Sequence, residues 1–79
     1  MNVKVLFFGA TAEAVDKREV EISFDSSVNA ERAFSEILER FPRLSAHKLL
    51  FARNQEYIKG DEIIRDGDEL AVFTAVSGG

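Results

Sequence analysis

The sequence closes on Ser77-Gly78-Gly79, and the group best suited to covalent chemistry is the α-carboxyl of Gly79. Two glycines leave that carboxyl at the tip of a main chain with no side chain to obstruct it. Such an end can be threaded into a narrow enzyme pocket and activated there. The same residues are also what a frayed or engineered tail carries, so the ending does not decide alone. Elsewhere, residues able to do chemistry are sparse. There is no Cys, so any sulfur handled by the chain cannot be held as a side-chain persulfide. The one His, His47, lies in a polar loop without the ligand-type neighbours a metal site needs. No nucleophile–base pair stands out, which disfavours an enzyme acting alone. Asp66, Asp68 and Glu69 lack calcium-loop spacing and read as turn chemistry with a solvated edge. Glu31, Glu36 and Glu39 read as a solvated helix face. No metal or cofactor is expected on this chain.

The elements that must position Gly79 fit one small domain of 79 residues, with a flexible tail over 74–79. A net charge of −4 argues against nucleic acid, and Lys17-Arg18 is too short a basic run to change that. The apolar stretch Val3–Phe8 is short and carries Lys4, so it reads neither as a signal peptide nor as a membrane span. The expectation is a soluble, cytoplasmic protein. Without disulfides or metals, its stability must come from packing the 46% of residues that are apolar, seven Phe among them.

Val3–Phe8 is β-branched and aromatic and reads as a strand, apolar on both faces and so central, with something covering each side. Gly9–Lys17 reads as a loop with a helical turn through Ala10–Val15. Glu19–Phe24 alternates charged and apolar residues, as a half-buried strand does. Val28–Phe41 is the clearest helix. Ala30, Ala33, Phe34, Ile37, Leu38 and Phe41 form its apolar stripe, and Pro42 stops it. Lys48–Arg53 is a further strand, Asn54-Gln55 a turn and Tyr57-Ile58 a short edge strand. Asp66-Gly67 makes a tight turn into a last strand, Glu69–Phe73. The first two strands pair as a hairpin. One helix cannot cover both faces of the sheet, so it covers one, giving an α+β roll.

Strand parity then sorts the apolar residues. Val5 and Phe7 share a face, as Leu70 and Val72 do. If those faces meet the helix, then Leu6, Phe8, Ala71 and Phe73 point the other way. Two readings follow: a satellite core under the loops at Lys17 or Gly60, or an exposed hydrophobic patch that docks partners.

The ordered set of Val3–Phe8, Phe41-Pro42, Asn54-Gln55-Glu56, Asp66–Leu70 and Val76-Ser77-Gly78-Gly79 resembles the small, ubiquitin-like sulfur-carrier subunits of molybdopterin synthase. The likeness runs from end to end. The related thiamine-pathway carriers also end in Gly-Gly, but are typically shorter with a less aromatic first strand. The resemblance implies a ubiquitin-like β-grasp fold, a mixed sheet with one main helix packed on one face. It implies three partners: a ubiquitin-activating-like adenylyltransferase that uses ATP, a sulfur donor protein and the large synthase subunit. It makes the chain a co-substrate rather than a catalyst. It assigns the reacting carboxyl to Gly79 and tail access to Gly78; the parity reading adds partner contact at Leu6, Phe8, Ala71 and Phe73, with Val76 and Ser77 contributing from the tail. Two features depart from the family pattern. Thr74-Ala75 stands where the family often carries Pro-Pro, so more ordering entropy is lost when the tail inserts. Gly9–Glu13 lacks the Arg of a frequent Arg-Glu pair.

The chemistry implied for the tail is coherent. A free carboxylate is a poor electrophile, and coupling to AMP makes a mixed anhydride with a good leaving group. A sulfur donor can then attack, leaving a nucleophilic thiocarboxylate on Gly79 for transfer to a cyclic pyranopterin phosphate. Ala75–Gly79 spans about 17 Å when extended, enough to reach a buried active site. Three other readings stand beside it: a sulfur carrier for thiamine or another thiolation pathway, a protein modifier joined through Gly79 to a target lysine, and a stand-alone binding domain in which Gly-Gly is irrelevant.

Overall fold

The computed structural model describes residues 1–74. Seven strands and two α-helices run in the order β1 (Asn2–Phe7), α1 (Ala10–Val15), β2 (Glu19–Ser23), β3 (Val28–Asn29), α2 (Ala30–Arg40), β4 (Leu49–Arg53), β5 (Glu56–Tyr57), β6 (Ile63–Ile64) and β7 (Glu69–Thr74). A 3₁₀ helix over Pro42–Ala46 follows α2. The main sheet has the order β2-β1-β7-β4-β5. β1 and β7 are parallel, whereas the β1–β2, β7–β4 and β4–β5 pairs are antiparallel. This is the mixed sheet with one main helix on one face, the ubiquitin-like β-grasp expected from the sequence. None of the described helices is long and apolar enough to cross a membrane.

The core lies between that sheet and α2. Val3, Val5 and Phe7 of β1 and Leu70 and Val72 of β7 are buried, and meet Ala30, Ala33, Phe34 and Ile37 of α2. Phe34 stacks on Phe51 of β4 with ring centroids 3.8 Å apart. Phe41 meets Phe7 edge-on at 5.3 Å. Each large apolar side chain buried here contributes about 1.5–3 kcal/mol relative to exposure.

The helix expected over Val28–Phe41 begins two residues later. Asn29 is extended at φ −84°, ψ 169°, and its side-chain oxygen accepts from the Arg32 N–H at 2.8 Å. The Ala30 and Glu31 N–H groups donate to the carbonyls of Glu62 (2.8 Å) and Gly60 (2.9 Å). The first three N–H groups of α2, which have no partner inside the helix, are thereby satisfied. Val28-Asn29 is then free to pair with Ile63-Ile64 as a separate two-stranded ribbon. Arg53 fastens that ribbon to the sheet, with Nη1 donating to the Ile63 carbonyl at 2.8 Å and Nη2 pairing with Glu62 at 3.3 Å.

The first two strands pair antiparallel as expected, with the expected helical turn, α1, in their connection. Two further expectations change. β1 is central, yet only its Val3-Val5-Phe7 face is covered, because α2 lies on one side alone. Thr74 is still in β7, paired with Leu49, so the sheet extends one residue into the tail expected from 74.

Candidate functional site

The parallel strands β1 and β7 carry the candidate residues to one place. Their register sets Leu6 beside Ala71 and Phe7 beside Val72. Paired residues share a face, and successive residues alternate. With Phe7 and Val72 in the core, Leu6, Ala71 and Phe73 must lie on the opposite face of the sheet. Phe8 joins them from just beyond the end of β1. Leu6, Ala71 and Phe73 are half-buried, and Phe8 is 51% exposed. All four line one shallow, open cavity of about 440 Å³ on the face away from α2. They do not form a satellite core beneath the loops at Lys17 or Gly60.

The remaining wall of the cavity comes from Ala52, Gln55, Tyr57 and Glu69. The first three belong to the β4–β5 hairpin, and Glu69 opens β7. Asn54 and Gln55 both have positive φ, 50° and 71°, which lets a two-residue loop fold β5 back tightly on β4. Tyr57 is thereby set opposite Ala52, on the open face. The Tyr57 ring is 75% exposed and lies 6.1 Å from that of Phe73. Sequence reading placed Tyr57 in an edge strand without a role. The hairpin register, counted outward from Asn54-Gln55, was the signal that could have found it.

The position of Phe8 is fixed from beneath. Thr11, at the start of α1, is the one buried polar residue among those described. Its hydroxyl oxygen lies 2.8 Å from both the Phe8 and Val72 carbonyls and accepts from the Phe8 N–H at 3.0 Å. The Phe8 N–H also donates to the Val72 carbonyl at 3.2 Å. One hydroxyl thus ties the end of β1, the start of α1 and the last strand together. Nothing in the spacing of the sequence marked Thr11 for this part.

The acidic turn is structural, as its spacing suggested. Asp66 accepts from the Asn2 N–H at 2.7 Å, and Asp68 accepts from the Arg65 N–H at 2.9 Å. Gly67 takes φ 83°, a value that glycine adopts freely and other residues resist. The other candidates, Val76, Ser77, Gly78 and Gly79, lie outside the described residues.

Known proteins share the sequence pattern and the fold of this chain. The family model described as "ThiS family" matches residues 5–79. The molybdopterin synthase sulfur carrier subunit of Homo sapiens is 37% identical over 83 residues, covering 99% of this chain and 94% of that protein. Its counterpart in Caenorhabditis elegans is 38% identical over 84 residues, with 100% and 99% covered. Among solved structures, SAMP1 of Haloferax volcanii (small archaeal modifier protein 1) superposes with a TM-score of 0.87 at 27% identity, both chains covered in full.

Proposed function

This chain belongs to the ThiS family, and from that we propose that it is a sulfur carrier for molybdopterin synthesis. The observation that carries the reading is end-to-end similarity, at 37–38% identity, to proteins named as molybdopterin synthase sulfur carrier subunits. Gly79 is the reacting residue. Its carboxyl attacks the α-phosphate of ATP on an activating enzyme, releasing pyrophosphate, and AMP then leaves as sulfide-level sulfur from a donor attacks the acyl carbon. The resulting thiocarboxylate enters the large synthase subunit and gives up its sulfur to the pterin precursor. Gly78 keeps the approach to that carbon clear of a Cβ. The face lined by Leu6, Phe8, Ala71 and Phe73 is the handle by which partners grip the domain, with Val76 and Ser77 adding contacts along the tail. Burial of aromatic side chains at such a face supplies affinity without requiring any chemistry from the domain itself.

Mass spectrometry of the protein from its native host tests the reading. A fraction should carry sulfur in place of one oxygen, localised to Gly79. Deleting Gly79 should abolish sulfur transfer while leaving the melting temperature unchanged. Transfer that survives the deletion would show the proposal to be wrong.

The likeness to SAMP1 favours a second reading, in which Gly79 forms an isopeptide bond with a target lysine. Both uses begin with the same activated carboxyl and differ in what attacks it. Lysine-linked adducts recovered from the host would support the modifier, and an accumulated thiocarboxylate the carrier.

A further inference from the structure

The cavity on the open face is not uniformly apolar. At the edge away from the tail it is closed by Glu69, a half-buried residue of β7. Strand register places the charged side chains nearest Glu69, while Lys17 and Arg18 border Leu6 and Phe8 in a neighbouring cavity. Lys4 is the cross-strand partner of both Glu69 and Glu21, and Glu19 is the partner of Leu6. Three carboxylates therefore share this part of the face with one ammonium. The Glu69 carboxylate has no hydrogen-bond or ion-pair partner among the described residues, and the one ion pair found there joins Arg53 to Glu62. Lys4, although adjacent in register, makes no ion pair with it. The polar contacts of Glu69 come from its backbone: its N–H donates to the Asn54 side chain at 3.0 Å, and its carbonyl accepts from the Asn54 N–H at 2.8 Å. The carboxylate is thus held in position by the main chain while its own acceptor capacity is unused.

Opposite it stand the rings of Phe8, Tyr57 and Phe73. An aromatic face attracts a cation, and a carboxylate accepts its N–H groups. A planar guanidinium satisfies both at once, and sheds water more readily than an ammonium does. From this pairing we infer that the cavity receives an arginine side chain, projected from a partner protein whose surrounding surface is apolar. The guanidinium stacks against Tyr57 and Phe73 and donates to Glu69, while Leu6, Ala52 and Ala71 contact its methylene stem. The apolar residues give the face its grip, and Glu69 selects which apolar partner surface fits. Docking of an uncharged surface would leave the carboxylate desolvated and unpaired, which is costly.

The inference rests on the docking role proposed above for this face, and one binding experiment separates the two. The large synthase subunit of the same host is titrated with the wild-type chain, Phe8→Ala and Glu69→Gln, at low and at high salt, each variant first checked for a native melting transition. Glu69→Gln keeps the shape and removes the charge. It should weaken binding roughly tenfold at low salt, with the deficit shrinking at high salt as screening removes the wild type's advantage. Phe8→Ala should weaken binding at both salt levels. Loss with Phe8→Ala together with wild-type affinity for Glu69→Gln overturns the arginine inference and leaves the docking face standing. Wild-type affinity in both variants overturns the docking face itself. A second measurement needs no partner: Nα-acetyl-arginine amide should shift the ring resonances of Phe8, Tyr57 and Phe73 in the wild type and not in Glu69→Gln. Equal shifts with Nα-acetyl-leucine amide would make the cavity a general apolar site and overturn the inference.

Discussion

Phe8 and Thr11 are three residues apart and do opposite things. Phe8 puts half of a large apolar side chain into water, a cost the fold gains nothing from. Phe8→Ala should therefore leave the melting temperature within a degree or two of wild type. It should cost about 2 kcal/mol or more in affinity for the large subunit, measured by calorimetry. Thr11 is buried and hydrogen-bonded on three sides. Thr11→Val keeps its volume but removes the hydroxyl that accepts from the Phe8 N–H and offers its one proton to the Phe8 and Val72 carbonyls, and should destabilise the domain by about 1–3 kcal/mol in denaturant titration. Thr11→Ser should recover most of that loss. Since Thr11 also seats Phe8, Thr11→Val should weaken partner binding more than its fall in stability explains.

Two short elements decide the outline of the candidate face. The Asn54-Gln55 loop needs positive φ at both positions, and Gln55 accepts it at φ 71° without being glycine. That conformation costs a residue with a Cβ about 1–2 kcal/mol, partly offset by the greater freedom glycine has when unfolded. Gln55→Gly should therefore stabilise the domain by about 0.5–1 kcal/mol, read as a raised melting temperature. Because Gln55 lines the cavity, the same variant should alter partner affinity only slightly if the aromatic rings carry the binding. On the covered side of the sheet, Asn29 caps α2. Asn29→Ala should cost about 1 kcal/mol, with no effect on affinity, since the cap lies on the covered side of the sheet.

For the whole molecule, the face and the tail make separable contributions. The core of the β-grasp body is built between the sheet and α2 from residues between Met1 and Val72. Removing Gly78-Gly79 should therefore abolish sulfur transfer while leaving both the melting temperature and the affinity of the open face for the large subunit largely intact. A shortened chain of this kind should compete with the full-length protein for the synthase, a result that binding competition followed by an activity assay would reveal.

Much of this architecture was legible along the chain because it is written in local periods. The 3.6-residue stripe Ala30, Ala33, Phe34, Ile37 placed α2, and alternation in Val3–Phe8 and Glu69–Phe73 separated the core face from the open one. Parity alone was sufficient to group Leu6, Phe8, Ala71 and Phe73, since residues on one face of paired strands stay together whatever the neighbours are. The Gly-Gly ending and the absence of any Cys make the carboxyl of Gly79 the candidate reacting group from sequence alone. What periodicity could not supply was contact between segments far apart in sequence. That Thr11 reaches Val72, that Arg53 holds the Ile63 carbonyl, and that Tyr57 and Glu69 close one cavity depend on strand order and register. Those are settled only when the chain packs as a whole, because the partners of a buried polar group or an exposed ring are chosen by three-dimensional neighbourhood rather than by spacing.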